Sequence, residues 1–421
     1  MAHSTPPEEP LSPSEVAPKE LTAKSEDRRR FLRTSIGAAA GAVLATSCSK
    51  ESSAPSAGLA DGLPEGLDGN DFLVHGTNPW CMESKRGRLD GLITPTDQVF
   101  VRANLPAPDK GVLAARGAWT LNVAGVKNPR ALTLAELQGM GRQTVASVLQ
   151  CSGNGRKFFT HGASGSPWGV GAAANVLWTG VPLRTVVEAL GGLIPGQKFL
   201  TATGGESIAE GLDAKKLMVE RSIPIEKAMT DGLLAWQMNS EPLTMAHGGP
   251  LRFVVPGYYG VNNVKYVKEI AATAEESTAK IQVSSYRVRP VGESGSPEQP
   301  SMWAMNTKSW ITAPLGGEGP VKAGETMITG VAFSGEAPVD SVEVSVDGGA
   351  TWSNADLVGP DLGPFAWRLF AMPWKAGAGK HTLVCRAKDQ AGTVQPENAV
   401  PNERGYAHNG WRDHGVDVQV G

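Results

Sequence analysis

Cysteine is scarce in this chain: there are four among 421 residues, and none of them lies in a CxxC or CxxCH sequence. A cysteine-rich zinc site and a c-type haem attachment are therefore not expected. The seven histidines are scattered without HxH or HExxH spacing, so the common histidine-based metal sites are not indicated either. The four cysteines are Cys48, Cys81, Cys151 and Cys385.

An excess of charge and a long apolar run are also lacking. The formal net charge is −3, so nothing indicates binding to nucleic acid or to an anionic membrane surface. The weakly apolar stretch from about Ile36 to Ala45 is too short to cross a bilayer, and we expect no transmembrane segment. The composition, with 41% hydrophobic and 19% charged residues, is that of a globular protein long enough for two or three domains.

The first 48 residues are predicted to form a disordered N-terminus followed by an export signal. Residues 1–27 are polar and rich in Pro, Ser and Glu, as disordered segments are. The sequence DRRRFLRTSIGAAAGAVLATSC, which ends at Cys48, has the arginines and the weak apolar run of a twin-arginine signal. An ordinary secretory signal is the alternative. Because the twin-arginine pathway carries folded proteins, often with a cofactor inserted, we expect a periplasmic protein; lipidation of Cys48 stays open.

Residues 62–275 have the mixed pattern of an α+β domain with short helices. LTLAELQGM places Thr133 and Glu136 at capping-box spacing, which predicts the start of a helix. PLRTVVEALGG predicts a second helix, which Gly191 ends. TVASVLQ, just before Cys151, and LRFVVPG at residues 251–257 are typical of strands.

Residues 276–421 have the pattern of a second, all-β domain. VDSVEVSVDGGATW alternates Val342, Val344 and Val346 on one strand face before a turn, and FAWRLFAMPW and HTLVCRAKDQAG continue as strands. This spacing predicts an immunoglobulin-like β-sandwich, with Cys385 buried on a strand. Cys81, in contrast, falls in a loop-like segment of the first domain, where a disulfide with another cysteine stays open.

The stretch LQCSGNGRKFF, residues 149–159, places one of the four cysteines directly before a run of small residues. Its Cys151 has a simple interpretation as a packed cysteine at the end of a strand. A thiolate is also a soft ligand for a metal centre, and the glycines beside it let the backbone approach something large. Arg156 could place a planar cation beside an oxyanion. One thiolate cannot hold a zinc ion, so any further ligands would come from elsewhere.

QCSGNGR resembles the CxGNxR loop of the sulfite oxidase family, whose cysteine ligates the molybdenum of molybdopterin. The likeness continues in chain order through FVRANLPAPD, WGVGAAANVLWTGVPL, SIPIEKAM, LAWQMNSEPLTMAHGGPLRFVVPG and VSVDGGATW. The resemblance implies a sulfite-oxidase-like molybdopterin-binding domain at residues 62–275 and an immunoglobulin-like β-sandwich dimerisation domain at residues 276–421. Molybdenum–molybdopterin would be the cofactor, and the protein would be a homodimer.

The resemblance also implies roles for single residues, beginning with Cys151 as the metal thiolate. The residues implied for the substrate oxyanion pocket are Arg102, Arg156, Trp168, Tyr286 and Arg404. The residues implied to hold the cofactor, besides Cys151, are Asn104, His247, Arg252 and Lys265. Taken singly, each has an ordinary alternative, such as a surface arginine, a core tryptophan or a loop histidine. Their ordered co-occurrence favours the site.

The chain departs from the family pattern at three positions in these motifs. Asn104 stands where the family often has histidine. Ser152 and Gly155 stand where alanine and arginine are common in the animal enzymes, and the second change removes a charge near the site. These departures leave substrate affinity and contacts with the electron partner open.

The implied activity is oxidation of sulfite to sulfate, with electrons passed singly to another protein. A c-type cytochrome is the expected acceptor, since no haem-attachment sequence or cytochrome b5 domain is recognisable in the chain. A sulfane-sulfur dehydrogenase, or another sulfur-compound molybdoenzyme of the same fold, is the main alternative. A non-catalytic exported binding protein is the remaining one, and it would leave Cys151 and the ordered arginines unexplained.

Overall fold

The computed structural model describes residues 62–421, and the predicted twin-arginine signal and Cys48 lie outside the described residues. The strands, in chain order, are β1 (Phe72–Thr77), β2 (Trp80–Ser84), β3 (Val101–Arg102), β4 (Thr120–Ala124), β5 (Arg130–Thr133), β6 (Gln143–Gln150), β7 (Ala173–Pro182), β8 (Phe199–Thr203), β9 (Glu220–Pro224), β10 (Leu233–Met238), β11 (Glu241–Pro242), β12 (Arg252–Val254), β13 (Glu269–Thr273), β14 (Lys308–Ala313), β15 (Gly324–Phe333), β16 (Val339–Ser345), β17 (Ser353–Val358), β18 (Arg368–Ala376), β19 (Gly379–Asp389) and β20 (Val416–Val420). The helices are α1 (Gly111–Ala114), α2 (Leu134–Gly139), α3 (Leu183–Ala189), α4 (Ala214–Leu217) and α5 (Ile225–Asp231). None of these helices has the length and apolar character that crossing a bilayer requires.

Three sheets form the first part of the described chain. One has the order β1-β2-β3, a second has the order β11-β10-β7-β6 with β12 also paired to β10, and a third has the order β5-β4-β13-β8-β9. Apolar side chains of the second and third sheets pack into one core with α2, α3 and α5, and Leu121, Phe253 and Ile270 are among its fully buried members. A separate buried cluster includes Phe100, just before β3, and Leu149 on β6, and Cys151 packs against it. The candidate site is built from the ends of these two strands.

The local helix signals are confirmed. Thr133 Oγ1 accepts a hydrogen bond from the Glu136 backbone N–H at 3.2 Å, and the Glu136 carboxylate accepts one from the Thr133 N–H at 2.7 Å, which closes the capping box. Helix α3 buries Leu183 and its apolar face against the core. The chain leaves that helix at Gly191 with φ +87°, a conformation that glycine adopts without strain.

The second part of the described chain is one seven-stranded sheet in the order β14-β15-β18-β17-β16-β19-β20. The sheet curls so that β14 lies against β19, where Cys385 Sγ donates to Ser309 Oγ at 3.3 Å. Cys385 is buried on β19, as predicted. Because β17 pairs with both β16 and β18, the strands form one continuous, barrel-like path. The immunoglobulin-like β-sandwich predicted for residues 276–421 and the predicted α+β fold class stay predictions.

The prediction for Cys81 is wrong. Cys81 is buried on β2, opposite Arg102 on β3, rather than in a loop. Its Sγ lies 2.9 Å from Ser166 Oγ. The three cysteines in residues 62–421 are all free, so no disulfide joins them.

The two parts of the chain share buried contacts behind the candidate site. The Val148 N–H on β6 donates to the Phe365 carbonyl at 2.8 Å. Trp367, fully buried, donates from Nε1 to the Leu92 carbonyl at 3.1 Å. The Ala407 N–H donates to the Ser152 carbonyl at 2.9 Å, so the second domain directly fixes the loop that carries Cys151.

Candidate active site

One cleft, with about 700 Å³ of space free of protein atoms, brings together most of the residues predicted from the sequence. The predicted residues that line it are Arg102, Asn104, Cys151, His247, Arg252, Lys265 and Tyr286. Arg156, Trp168 and Arg404 lie outside its lining.

Cys151 lies where β6 ends, and the loop after it is held by backbone hydrogen bonds to the chain before β7. The Cys151 N–H donates to the Ala172 carbonyl at 2.9 Å, and the Gly155 N–H donates to the Gly169 carbonyl at 2.7 Å. Gly155 has φ +96°, which a side chain would strain. The half-buried Cys151 thiol is thereby presented to the cleft on a fixed turn.

Three glycines form a close-fitting cradle for the Arg156 side chain. A Cβ atom added to Gly153 would lie 2.3 Å from Nη2, one added to Gly165 would lie 2.8 Å from Nη1, and one added to Gly405 would lie 2.8 Å from Cγ. Within this cradle Nε donates to the Arg404 carbonyl at 2.9 Å and Nη1 to the Ser166 carbonyl at 2.8 Å. The side chain is therefore rigid, with Nη2 left free of hydrogen bonds to the described residues.

Trp168 was predicted to line the substrate pocket, but it does not line the cleft. It is 1% exposed and packs behind the cleft wall, edge-on to His75 at 5.1 Å between ring centroids and close to Phe100. Arg404 is half-buried beside this region, and its Nε is buried without a hydrogen-bond partner among the described residues. The roles predicted for Trp168 and Arg404 in binding substrate stay predictions.

Arg102 and Tyr286 approach the cleft from different parts of the chain. Arg102 ends the two-residue strand β3, and its side chain makes no hydrogen bond or ion pair within residues 62–421. Tyr286 follows a five-residue π-helical turn, Ile281–Ser285, a rare element that is frequent at functional sites. A free guanidinium and a phenol thus face the same space as the Cys151 thiol.

Three buried basic side chains, those of Arg252, Lys265 and His247, line another part of the cleft. Burial lowers the pKa of Arg252 to about 10, so this guanidinium stays charged at neutral pH. Burial also lowers the pKa of Lys265 well below its usual range, with Arg252 acting in the same direction and Glu206 opposing it. Burial lowers the pKa of His247 to about 3, with Lys265 and Arg252 contributing, so its imidazole is neutral at neutral pH.

Glu206 is a cleft residue that the sequence analysis missed. It lines the same cleft, and burial raises its pKa to about 7, against the opposing charges of Lys265 and Lys268. The available signal was the sequence TATGGES, in which two glycines follow strand β8 directly and let the chain fold close to the cleft.

A further buried basic residue, Lys308 on β14, lies beneath the Cys151 loop. Its Nζ donates to the Asn154 carbonyl at 3.2 Å, and no carboxylate of residues 62–421 lies within ion-pair distance of it. Burial lowers its pKa to about 7, with Glu83 opposing the shift. A buried lysine without an ion-pair partner costs folding free energy whenever it carries its charge.

We therefore expect Lys308→Met to stabilise the protein at low pH. The usual lysine pKa of 10.5 falls to about 7 on folding, so between these values the unfolded chain binds more protons and wild-type stability rises with pH. At pH 6 the variant should be more stable by about 1–4 kcal/mol, and the difference should shrink towards pH 10. Calorimetric melting of both proteins across this range measures the effect, with Lys322→Met, an exposed lysine of the same domain, as the control. A variant less stable than wild type at pH 6 would contradict the expectation.

Comparison with known proteins places this geometry in a family. Residues 106–281 match the family model described as the oxidoreductase molybdopterin binding domain, and residues 299–420 match the Mo-co oxidoreductase dimerisation domain. The chain is 33% identical over 340 residues to the sulfite oxidase of Gallus gallus, covering 76% of this chain and 72% of that protein. The chain belongs to the sulfite oxidase family.

Two further proteins that resemble this sulfite oxidase family member have names that indicate different reactions. It is 34% identical over 356 residues to the mitochondrial sulfite oxidase of Homo sapiens, covering 79% of this chain and spanning 62% of that protein's length. The crystal structure of the sulfane dehydrogenase SoxCD from Paracoccus pantotrophus is similar with a TM-score of 0.70 and 27% identity, covering 88% of this chain and 96% of that one.

The cofactor of this family member is molybdenum–molybdopterin. The cleft fits that group. His247 Nε2 and Ser152 Oγ are buried on the cleft wall without hydrogen-bond partners among the described residues, so a polar ligand would satisfy both. Arg252 provides a buried cation and Lys265 a buried amine, both suited to the phosphate of the cofactor. Cys151 presents to the cleft a soft sulfur donor of the kind that suits such a metal.

Proposed function

We propose that this chain oxidises sulfite to sulfate in the periplasm as a homodimer and passes electrons singly to an external c-type cytochrome. The reaction converts sulfite and water into sulfate, two protons and two electrons. The supporting observation is that Arg102, Tyr286 and Cys151 line one cleft although they are distant in sequence. Such a cleft can bind a small dianion beside a metal.

Arginine suits the recognition of sulfite because it stays charged and presents a fork of donors to oxyanions. Arg102 is free to bind a substrate oxygen. Arg156 adds a second positive charge whose position is fixed by its glycine cradle, and Arg404 adds a third with an unsatisfied Nε. Preorganised charge in a partly desolvated cleft stabilises an oxyanion more than the same charge in water.

The cofactor, when bound, supplies the two-electron redox chemistry, and the chain holds it and shields it. Cys151 would ligate the metal, while Arg252 and Lys265 would hold the phosphate and Asn104 and His247 the pterin. Because His247 is neutral, it can donate or accept a hydrogen bond there. Apolar lining residues, among them Leu149 and Val261, limit the access of water.

The periplasmic location that we propose rests on the N-terminal sequence. The arginine-rich sequence before Ile36 is of the twin-arginine type, and a cofactor of this size is inserted before export. The dimerisation-domain match at residues 299–420 supports the homodimer. The acceptor proposal is tested by supplying candidate periplasmic cytochromes to the purified protein and following haem reduction after addition of sulfite.

A sulfane-sulfur dehydrogenase is the second candidate, because the sulfane dehydrogenase structure matches nearly its whole length to this chain. Steady-state assays of the periplasmic protein with ferricyanide distinguish the two. Sulfite turnover by the chain alone would support the proposal. Turnover of a persulfide donor without turnover of sulfite, in protein that contains molybdenum, would replace it with the second candidate.

The glycine cradle provides a test of the oxyanion site that leaves every charge in place. In Gly153→Ala the new methyl group would displace the Arg156 guanidinium, because a Cβ there lies 2.6 Å from Cζ. Displacing a substrate-positioning group by about 1 Å can cost roughly 100-fold in rate, and we expect a loss of that size in kcat/KM for sulfite. Gly117→Ala is the control, since a Cβ at that position meets no atom within 4 Å. Equal activities of the two variants would contradict the role of the cradle.

A further inference from the structure

Tyr286, which lines the cleft, is stacked on a second tyrosine that does not. The rings of Tyr286 and Tyr406 are nearly parallel, 7° apart, with centroids separated by 5.2 Å. Tyr406 is 3% exposed and lies behind Tyr286 as seen from the cleft lining. The two residues are far apart in sequence: Tyr286 lies in the segment between the two matched family regions, residues 106–281 and 299–420, and Tyr406 lies in the second of them. The stack is therefore a tertiary contact.

A guanidinium lies over each of the two rings. Arg156 Cζ is 5.5 Å from the ring centroid of Tyr406, and Arg221 Cζ is 5.8 Å from that of Tyr286. Arg221 is fully buried and fixed, since it donates to the Ile281 carbonyl at 2.9 Å. The stack therefore connects Arg156, beside the Cys151 loop, with Tyr286 at the cleft wall, through favourable contacts of cations with aromatic faces.

Tyr406 is itself held by its own loop. Its backbone N–H donates to Asn402 Oδ1 at 2.9 Å, and Asn402 Nδ2 donates to the Tyr406 carbonyl at 2.8 Å. Its hydroxyl makes only a long hydrogen bond, 3.3 Å, to the Ser285 carbonyl. The ring, rather than the hydroxyl, is thus the part of Tyr406 that contacts the site.

We propose that Tyr406 is a positioning residue whose ring fixes the orientation of Tyr286 and the place of Arg156. The inference rests on the proposed function, in which these two residues contact the oxyanion. It assigns to the second domain a part in forming the substrate pocket. This positioning role requires an aromatic ring at position 406 and does not require the hydroxyl.

The test compares Tyr406→Phe, which keeps the ring, with Tyr406→Leu, which removes it. Phe370→Leu, a buried aromatic of the seven-stranded sheet away from the cleft, controls for general loss of packing. The chain has only five tyrosines, so fluorine NMR of the protein labelled with 3-fluorotyrosine resolves Tyr286, and Tyr286→Phe assigns it. Sulfate affinity is read from the shift of that signal, and KM and kcat for sulfite are measured on the same preparations.

We expect Tyr406→Leu to move the Tyr286 signal, because the ring current of the stack is lost, and to weaken sulfate binding and raise KM roughly tenfold. Tyr406→Phe and Phe370→Leu should change both values by less than about twofold. Unchanged sulfate affinity in Tyr406→Leu, or equal losses in Tyr406→Phe, would overturn the proposal. If Tyr406→Leu does not fold, wild type and Tyr406→Phe still test the proposal. A Tyr286 signal that lacks the ring-current shift expected from stacking, in either protein, would overturn it. Normal stacking and sulfate binding without sulfite turnover would contradict the proposed function alone.

Discussion

Replacing Cys151 by serine is expected to remove molybdenum from the protein and sulfite oxidation with it. A thiolate is the only soft donor that the cleft lining offers among the described residues, and a serine hydroxyl is neither soft nor ionised at neutral pH. Changes in groups that merely support a metal ligand already cost about 10–100-fold, so loss of the ligand itself should cost more than about 100-fold in activity. Metal analysis by mass spectrometry and the ferricyanide assay, both on periplasmic protein, measure the two effects.

Cys81→Ser provides the matched control for this substitution. Cys81 is also a free cysteine close to Arg102, but it is buried against Ser166 and does not line the cleft. Burial raises the pKa of its thiol, so it remains a neutral side chain. We expect this variant to keep its molybdenum and its activity. Equal metal content in wild type and Cys151→Ser would contradict the assignment of Cys151 as the ligand.

Sequence patterns predicted the secondary structure correctly where it depends on interactions between residues close in sequence. The Thr133 and Glu136 capping box depends on hydrogen bonds between residues three apart, and the structure confirms it. The alternation around Val344 predicted a strand for the same reason, since a period of two places one face towards a core. Cys81 was placed wrongly because β2 is short and its strand character depends on pairing with β1 and β3.

The site residues required a different source of information. The family resemblance predicted which side chains belong to the cleft, but it did not specify how they are held. Arg156 depends on a carbonyl from Arg404, 248 residues away, and on a glycine of the second domain. Trp168 was expected at the pocket, but the chain turns its ring into the core behind it. Contacts of this range are set by tertiary packing, which no local pattern encodes.

The second domain contacts the candidate site directly. Lys308 donates to the loop that follows Cys151, Ala407 donates to Ser152 in that loop, and Tyr406 stacks on Tyr286. Each contact links the sheet or its C-terminal segment to a residue near the cleft. A substitution at the domain boundary should therefore affect both folding and catalysis, whereas one at the far side of the sheet should affect folding alone.

Removal of the Arg102 guanidinium is expected to cause the second largest loss. Deleting one donor that faces a developing oxyanion typically costs about 100–1,000-fold in rate, and we expect Arg102→Met to lower kcat/KM for sulfite by that amount. Arg102→Lys keeps the charge but loses the fork, so it should recover only part of the loss. Molybdenum content should stay at the wild-type level in both variants, because Cys151, Arg252 and Lys265 are unchanged.

The control for Arg102 is Arg116→Met. Arg116 is another arginine of the first domain, and it donates to the Leu243 carbonyl at 2.9 Å outside the cleft. Loss of its charge alters the net charge of the protein by the same amount without changing the oxyanion site. If both variants lose activity equally, the effect of Arg102 is a general electrostatic one. If only Arg102→Met loses activity, and raised ionic strength does not abolish the difference, the guanidinium acts by direct contact with the substrate.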